Sequence, residues 1–392
     1  MGERIYLDNA ATTKVSEEVL QEMLPYFQET YANPSAIYSF AGAAKKAVGI
    51  ARERAAALIG AKPNEIYFTA GGSESDNWAV RAVAEGLSDK GRHIITSKIE
   101  HHAVLHTCEY LEKRGYEVTY LDVDGEGMIS PAALEKAIRP DTVLISVMAA
   151  NNEIGTIQPV AKIGEIAHAR GIFFHTDAVQ AYGHVPLNVG EMHIDLLSAS
   201  GHKLYGPKGV GILYIRENVR LQPLIHGGAQ ERGRRAGTLN VPGIVGFGTA
   251  AALAGETMQE RAARETALRD YLIDRVLAEI PYTRLNGHRQ ERLSNNAHFC
   301  FRFIEGESLL ILLDQRGICG SSGSACTSGA LDPSHVLLAI GLPHEIAHGS
   351  LRLTLSAENT REELDRTVEA LKEIVGRLRD MSPLYEDFVR KA

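Results

Sequence analysis

Residues 142–180 read TVLISVMAANNEIGTIQPVAKIGEIAHARGIFFHTDAVQ, and their hydrophobic pattern indicates the fold class. It opens with an apolar run at 142–149, continues with an amphipathic pattern of helical period at 160–169, and returns to a short apolar run at 173–175. A strand, a helix of this length and a second strand are typical of a βαβ unit, whose two strands lie parallel in one sheet. Gly171 follows the helical pattern and marks its end.

The same alternation extends to both sides of this unit. Further strand patterns lie at 65–69, 93–97, 117–121, 196–198 and 210–215. Amphipathic stretches lie between them, at 75–86, 103–114 and 131–139. The alternation predicts an α/β fold with a mostly parallel, mixed sheet flanked by helices. In such a sheet ligands bind beyond the carboxyl ends of the strands, so polar residues that directly follow strands are candidates for a site.

The pattern changes after about residue 240. Residues 242–280 predict one or two long helices with a break near Gly255, and shorter strand and helix patterns then alternate at 295–303, 307–315, 350–356 and 360–379. We therefore predict three parts. They are an N-terminal segment of residues 1–15 associated with the smaller domain, a large α/β domain at 16–255, and a smaller α+β domain at 256–392 with a Gly- and Ser-rich loop at about 320–330.

Composition disfavours several classes of function. The 392 residues carry 41 Lys and Arg against 49 Asp and Glu, a net charge of −8, and a nucleic-acid binder normally shows a basic footprint. The N-terminus lacks the apolar core of a signal peptide, and the most apolar run, 143–150, is far shorter than the ~20 residues that span a bilayer. We expect a cytoplasmic protein with neither nucleic acid nor membrane as a partner.

One glycine motif is a false lead. A G-x-G-x-x-A pattern occurs at 246–251, inside a helical pattern and without the strand that dinucleotide binding requires before it. Close packing of a helix is the better interpretation.

The four cysteines are Cys108, Cys300, Cys319 and Cys326. None belongs to a C-x-x-C pair, which disfavours a zinc ribbon or a dithiol redox motif. Cys326 differs from the other three, because it lies in the polar run SSGSACTSG at 321–329, where a thiol is exposed and can react. The other three have the surroundings of structural cysteines.

Three features that follow predicted strands point to one cofactor. The turn 70–75 (AGGSES) precedes a helix and suits an anion, although an ordinary tight turn is the alternative. Asp177 follows the strand at 173–175, where a helix cap is the simpler role, and Lys203 follows the strand at 196–198 in a Ser/Gly/His loop. Pyridoxal phosphate needs groups of these kinds for its phosphate, its pyridinium nitrogen and its aldehyde.

Other polar residues follow strands with less specific signals. The pair at 101–102 is a poor chelate for one metal, because adjacent residues point in different directions, but a single His101 ring could stack on a planar cofactor. Asn152 could bind a ligand or form a turn. Arg352, between two leucines of a strand pattern, suits a carboxylate, with an intramolecular salt bridge as the alternative.

Taken together, these stretches resemble the cysteine desulfurases of the NifS/IscS type, which are class V aminotransferase-like, fold type I pyridoxal phosphate enzymes. The resemblance runs nearly end to end. It is carried by residues 6–13, 33–35, 69–77, 100–101, 151–155, 175–180, 200–203, 232–238 and 322–328.

The resemblance implies pyridoxal 5′-phosphate as cofactor and gives each residue a role. Lys203 is expected to bind the cofactor covalently and to move protons, His101 to stack on its ring and assist acid–base steps, and Asp177 to pair with its ring nitrogen. The remaining contacts are expected from Gln180 and Asn152 at the ring oxygen and substrate, from Gly72, Ser73, Ser200 and His202 at the phosphate, and from Thr238 of the neighbouring subunit.

The resemblance also implies the reaction and the partners. L-cysteine is bound through Arg352 and Asn152, and Cys326 takes its sulfur as a persulfide and leaves L-alanine. An iron–sulfur scaffold protein is the expected acceptor, and a homodimer the expected assembly. Nitrogenase maturation, housekeeping cluster assembly and tRNA thiolation all remain open as pathways. No metal site is expected, apart from Cys326 as candidate ligand of a transient iron–sulfur cluster.

Two other functions compete with this one. A pyridoxal phosphate enzyme of another reaction, such as an aminotransferase or a selenocysteine lyase, would need Lys203 and Asp177 but not Cys326. A sulfur carrier or assembly scaffold would need Cys326 but not Lys203. The presence of both residues favours the desulfurase.

Overall fold

The computed structural model describes residues 4–322 and 333–391. Its strands are β1 (Ile5–Tyr6), β2 (Ile66–Thr69), β3 (His93–Ser97), β4 (Glu117–Leu121), β5 (Thr142–Ser146), β6 (Phe173–Asp177), β7 (Leu196–Ser200), β8 (Gly211–Ile215), β9 (Thr283–Asn286), β10 (Asn296–Phe301), β11 (Ile318–Cys319) and β12 (Ser350–Thr354). Its α-helices are α1 (Glu17–Met23), α2 (Pro25–Gln28), α3 (Gly42–Ala57), α4 (Gly72–Gly86), α5 (His102–Glu112), α6 (Pro131–Ala137), α7 (Val160–Ala169), α8 (Val241–Glu279), α9 (Gly306–Gln315), α10 (His335–Ala339), α11 (His344–Ala347), α12 (Arg361–Asp380) and α13 (Pro383–Lys391).

Seven strands form the large sheet, in the order β2-β8-β7-β6-β5-β3-β4. The five strands from β7 to β4 in this order pair in parallel, whereas β8 is antiparallel to both of its neighbours. The mostly parallel, mixed sheet predicted from the alternation is therefore confirmed. The largest difference between predicted and observed strand limits in this sheet is at β5, which was predicted to end at residue 149 and ends at Ser146.

The large sheet is buried on both faces, because helices cover each of them. Successive residues of each strand point to opposite sides of the sheet. Ile94, Leu144 and Leu196 pack into one core with α4 and α5. Their next neighbours along the chain, Ile95, Ile145 and Leu197, pack into a second core with α3, α7 and α8. This two-sided burial explains why these strands read as nearly continuous apolar runs in the sequence.

A second, antiparallel sheet has the order β12-β10-β9. It packs with α9, α12 and the C-terminal part of α8 around a separate apolar core that includes Phe299, Leu351 and Leu371. The N-terminal strand β1 pairs in parallel with β11, and its Ile5 is buried in the same core. Residues at the start of the chain are therefore held beside residues near its end.

Helix α8 corrects one expectation. It runs without interruption for 39 residues, so the break predicted near Gly255 is wrong. A glycine inside a helix costs about 1 kcal/mol relative to alanine, which the packing along both halves of α8 outweighs. Ala250 and Ala254 lie in a core of the large sheet, whereas Leu272 and Val276 lie in the core of the small one. The domain limit at residue 255 stays a prediction, and α8 continues through that position.

The glycines of the G-x-G-x-x-A pattern lie within α8, where it packs against α3. A Cβ on Gly248 would lie 2.4 Å from the Cα of Ala51, which is closer than real contacts allow. Close helix packing, as expected, is the role of this motif. Within the described ranges, 4–322 and 333–391, none of the helices is both long and apolar enough to cross a membrane.

Candidate active site

A cavity of ≈350 Å³ lies at the carboxyl ends of β5, β6 and β7. Ten of the residues singled out in the sequence line it: Gly72, Ser73, His101, Asn152, Asp177, Gln180, Ser200, His202, Lys203 and Arg352. Ala10, Ala11, Asp76, Met148, Ala150 and Val179 complete the lining. The fold therefore brings together residues that lie more than 270 positions apart in the chain.

Lys203 ends a 3₁₀ turn that directly follows β7. Its Nζ donates hydrogen bonds to the carbonyl oxygens of Ala10 and Ala11, the latter at 2.8 Å. Its backbone carbonyl accepts a hydrogen bond from Nε2 of the buried His184 at 2.8 Å. The N-terminal segment thus contacts the amine, while His184 holds the backbone from the other side.

Asp177 is the last residue of β6 and is buried. Its Oδ1 accepts a hydrogen bond from the backbone N–H of Val179 at 2.9 Å, so the carboxylate also closes a local turn. Burial raises the pKa of Asp177 to about 6, and the Val179 N–H and the Lys203 ammonium act in the opposite direction. At pH 7 the group is therefore mostly ionised, and it presents a negative charge in a cavity that also contains a cation.

The first turn of α4 forms a cradle for an anion. Gly71, the residue before the helix, has φ +151°, a backbone conformation that favours glycine. A Cβ on Gly72 would lie 2.5 Å from Cγ2 of Val179, so a larger residue would force the turn away from the end of β6. The free backbone N–H groups at a helix N-terminus attract negative charge, and Ser73, the second residue of α4, also lines the cavity.

His202 contributes to the same end of the cavity. Its Nδ1 lies 3.2 Å from Oγ1 of Thr12. Burial, together with the nearby charges of Lys203 and Lys208, lowers the pKa of His202 to about 4. The ring is therefore neutral at pH 7. Lys208 lines a neighbouring, more open part of this end together with Ser200.

His101 is the N-cap residue of α5. Its Nδ1 accepts a hydrogen bond from the backbone N–H of Ala103 at 3.1 Å, so in the neutral ring the proton resides on Nε2. Burial lowers the pKa of His101 to about 4, with a further contribution from Lys203. The histidine therefore enters the cavity as an uncharged ring that can accept or donate a proton.

Arg352 belongs to β12 of the small sheet and is almost completely buried. Its Nη2 donates to Oδ1 of Asp8 at 2.9 Å, and its Nη1 donates to the backbone oxygen of Asn152 at 2.8 Å. The salt bridge considered as an alternative is thus present, and the same guanidinium also lines the cavity. Two supports from distant parts of the chain hold this cation in one orientation.

The comparisons with known proteins agree with this geometry. Residues 5–367 match the family described as aminotransferase class-V. The chain belongs to the class V aminotransferase family. A cysteine desulfurase IscS of Methanosarcina thermophila is 60% identical over 380 residues, which cover 97% of this chain and 94% of that protein. The resemblance to cysteine desulfurases stated from the sequence is confirmed.

Solved structures of class V relatives support the same assignment. A NifS-like protein superposes with a TM-score of 0.90 at 41% identity, over 96% of this chain and 100% of that one. A structure described as SspA in complex with cysteine superposes with a TM-score of 0.80 at 40% identity, over 91% of this chain and 100% of that one.

Several residues of this class V site were not singled out from the sequence. Asp8 and Lys208 lie beside cavity residues that were predicted, but neither directly follows a strand of the large sheet. Asp76 lies one turn into α4. Its only signal in the sequence is its spacing, because it falls on the same helix face as the apolar Val80 and Val83, where an acid is unusual.

Two expected residues remain, Thr238 and Cys326. Thr238 is exposed and does not line it. Cys326 lies in the segment 323–332, outside the described residues.

Proposed function

We propose that this chain is a cysteine desulfurase, which removes sulfur from L-cysteine and yields L-alanine and a persulfide on Cys326. One observation carries the proposal: a single cavity combines Lys203, Asp177 and an anion cradle with a buried arginine, in a chain that also contains Cys326. Among the relatives described above, the one with the highest sequence identity, 60% over 97% of this chain, is a cysteine desulfurase.

The donor set of the cavity fits pyridoxal phosphate. Asp177 offers a buried carboxylate for a pyridinium nitrogen, Lys203 an amine for an aldehyde, and the first turn of α4 with Ser200 and His202 a site for a phosphate. A volume of ≈350 Å³ is within the range of pockets for small ligands. When bound, this cofactor supplies an electron sink that stabilises negative charge on a substrate carbon.

Substrate binding rests on Arg352. Its guanidinium is planar and can bind a carboxylate through two parallel hydrogen bonds. Asp8 and the carbonyl of Asn152 hold it from behind, so little rotational freedom is lost when a substrate carboxylate binds. The carboxylate group common to amino acids is the feature that this site recognises.

Proton transfer rests on Lys203 and His101. The amine of Lys203 is held inside the cavity by the carbonyls of Ala10 and Ala11, which keep it near the substrate when it is not bound covalently. His101 is neutral at pH 7 and has its proton on Nε2. Two groups that can carry a proton therefore line the same cavity and can move a proton between substrate atoms.

Sulfur transfer needs a thiol near the substrate. In this step the Cys326 thiolate attacks the substrate sulfur, an S–S bond forms and the C–S bond breaks, and its electron pair stays with carbon, which is protonated to give alanine. Ser321 exchanges backbone hydrogen bonds with Arg352, at 3.1 and 2.5 Å, and so attaches the described chain before Cys326 beside the cavity. Cys326 is four residues after Ser322, and four residues of chain span at most about 14 Å. The length of the chain therefore limits how far Cys326 can lie from Arg352.

The far end of that segment is attached to the same region. The hydroxyl of Ser334 donates a hydrogen bond to the buried carboxylate of Glu153, the residue after Asn152. Both attachments support a role for Cys326 at this cavity.

We also propose a homodimer whose partner subunit supplies Thr238. Seven large apolar side chains are exposed between residues 20 and 40, which is typical of a face that another protein covers. They are Leu20, Leu24, Phe27, Tyr31, Ile37, Tyr38 and Phe40. Arg52 of α3, the helix that follows these residues in the chain, forms an ion pair with Glu231 at 2.6 Å, and Glu231 lies seven residues before Thr238. An iron–sulfur scaffold protein as acceptor, and a cytoplasmic location, remain predictions from the sequence.

The test uses the full-length protein with its cofactor and L-cysteine in the presence of a thiol reductant, and measures alanine and sulfide. The wild type should form both in equal amounts. Cys326→Ser should keep the visible absorbance of the cofactor but lose at least about 10³-fold in rate, because it lacks the nucleophile. Cys319→Ser, at a half-buried thiol that does not line the cavity, is the matched control and should keep its activity. Desulfuration by Cys326→Ser at the wild-type rate would falsify the proposal.

A further inference from the structure

Asp76 is a buried acid that the proposed reaction does not use. It lies on α4, is 1% exposed, and lines the same cavity as Asp177. Its Oδ1 is buried and accepts no hydrogen bond from the described residues. An ionised carboxylate in that situation is costly, because no hydrogen bond from the described residues replaces the water that Oδ1 loses on folding. The acid form, which has no net charge, avoids most of this cost.

His175 is the nearest candidate for a positive partner, but it is neutral. Its Nε2 lies 3.6 Å from Oδ1 of Asp76, which is too far for a hydrogen bond. Its two ring nitrogens instead contact the hydroxyls of Ser146 and Ser198, at 2.8 and 3.0 Å. Burial lowers the pKa of His175 to about 3. Asp76 therefore has no cationic imidazole beside it at neutral pH.

The nearby Asp177 also favours the neutral form of Asp76. Burial raises the pKa of Asp76 well above its usual value, and the negative charge of Asp177 raises it further. A hydrogen bond with Ser198 opposes these effects. Lys203, also in the cavity wall, lowers the pKa of Asp177. Burial raises the pKa of Glu100 to about 8, so Glu100 is also mostly neutral at pH 7.

We propose that Asp76 is a positioning residue that stays in its neutral acid form, so that the negative charge of the Asp76–Asp177 pair resides on Asp177. Two carboxyl groups in one buried site do not readily ionise together, and the one with a backbone N–H donor keeps the charge. The inference rests on the proposed function, because a cationic ring nitrogen in the cofactor is what requires a charge at Asp177.

The first measurement titrates pyridoxal phosphate into the full-length protein after removal of its cofactor. Asp76→Asn replaces one neutral group by another of the same shape and should weaken binding by only about threefold. Asp177→Asn removes the charge and should weaken binding by about a hundredfold. An equal, hundredfold loss in both variants would mean that Asp76 is itself ionised, and would overturn the inference.

The second measurement does not depend on the cofactor. In the cofactor-free protein, acids that are protonated in the folded state, such as Asp76, make the urea midpoint fall as pH rises from about 5 to 8, because the folded state holds protons that the unfolded state has released, whereas histidines that are neutral in the folded state, such as His101 and His175, act in the opposite direction. In Asp76→Asn this fall should be smaller by the equivalent of about one proton, since one such group is gone. An unchanged slope would refute a protonated Asp76.

Asp76→Ala gives the same comparison if the Asn variant does not fold. Failure of the wild type to bind pyridoxal phosphate would instead refute the proposed function, and the unfolding slopes would still decide the state of Asp76.

Discussion

The two sides of the cavity are built in different ways. The proposed cofactor side consists of Gly72, Ser73, Asp177, Ser200 and Lys203, which all lie at or just after strand ends of the large sheet. The proposed substrate side consists of Asp8, Asn152 and Arg352, which come from the N-terminal segment, the turn that follows β5 and the small sheet. The first side is set by local order within one sheet, whereas the second exists only when the small sheet packs against the large one.

This difference has a functional meaning. A cofactor that stays bound through many reactions needs a site that keeps its shape, and the ends of a buried parallel sheet provide one. A substrate that enters and leaves needs contacts whose loss does not disturb the cofactor. Arg352, which a salt bridge to Asp8 holds in place, can provide such a contact, because it belongs to the small sheet and not to the large one. Changes on the two sides should therefore have separable effects on cofactor binding and on substrate binding.

The largest effect is expected at Lys203. In the proposed mechanism, Lys203→Ala removes both the covalent attachment of the cofactor and a proton carrier, so turnover should fall by at least about 10³-fold and the visible absorbance of the bound cofactor should change. Spectra and alanine formation measure the two effects. Lys98→Ala, in an exposed ion pair with Asp122, is the matched control and should leave both readouts as in the wild type. A Lys203→Ala enzyme with the absorbance and the rate of the wild type would contradict the proposed role of Lys203 on the cofactor side.

An intermediate effect is expected at Arg352. Arg352→Lys keeps the charge but loses the two-pronged hydrogen bonding, so KM for cysteine should rise by about 10- to 100-fold. The visible spectrum of the cofactor should stay the same, because the change is on the substrate side. Steady-state kinetics across cysteine concentrations give the measurement. Arg316→Lys, in an exposed ion pair with Glu373, serves as the control. If Arg352→Lys instead lost the cofactor, the two sides would not be separable.

The smallest effect is expected at Ser73. Ser73→Ala removes one hydroxyl from the anion cradle but leaves the backbone N–H groups of α4, so cofactor affinity should fall only about fivefold. KM for cysteine, measured with saturating cofactor, should change by less than about twofold. Ser88→Ala, at a partly exposed serine outside the cavity, is the control. A larger change in KM than in cofactor affinity would contradict the division into two sides.

The cofactor side was largely predictable from the sequence. Asp177 and Lys203 follow recognisable strands, and in a parallel sheet the residues after neighbouring strands meet at one edge. Asp8 was missed as a partner of Arg352, because no local pattern relates positions 344 residues apart. The break expected in α8 was wrong for a similar reason. Gly255 weakens the helix locally, but contacts with two distant cores keep the helix continuous through this position.

The alternation of strands and helices, the residues at the strand ends and the resemblance to a family were all evident from the sequence, because they depend on short-range periodicity and on motifs. Two features became evident only in the folded chain: Arg352 is held between Asp8 and Asn152, and Asp76 lines the cavity with an oxygen that no described residue contacts by a hydrogen bond. Such features depend on how two sheets and the N-terminal segment pack together. Packing brings distant residues to within 3 Å and removes water from them, and both effects set the charge that each group carries.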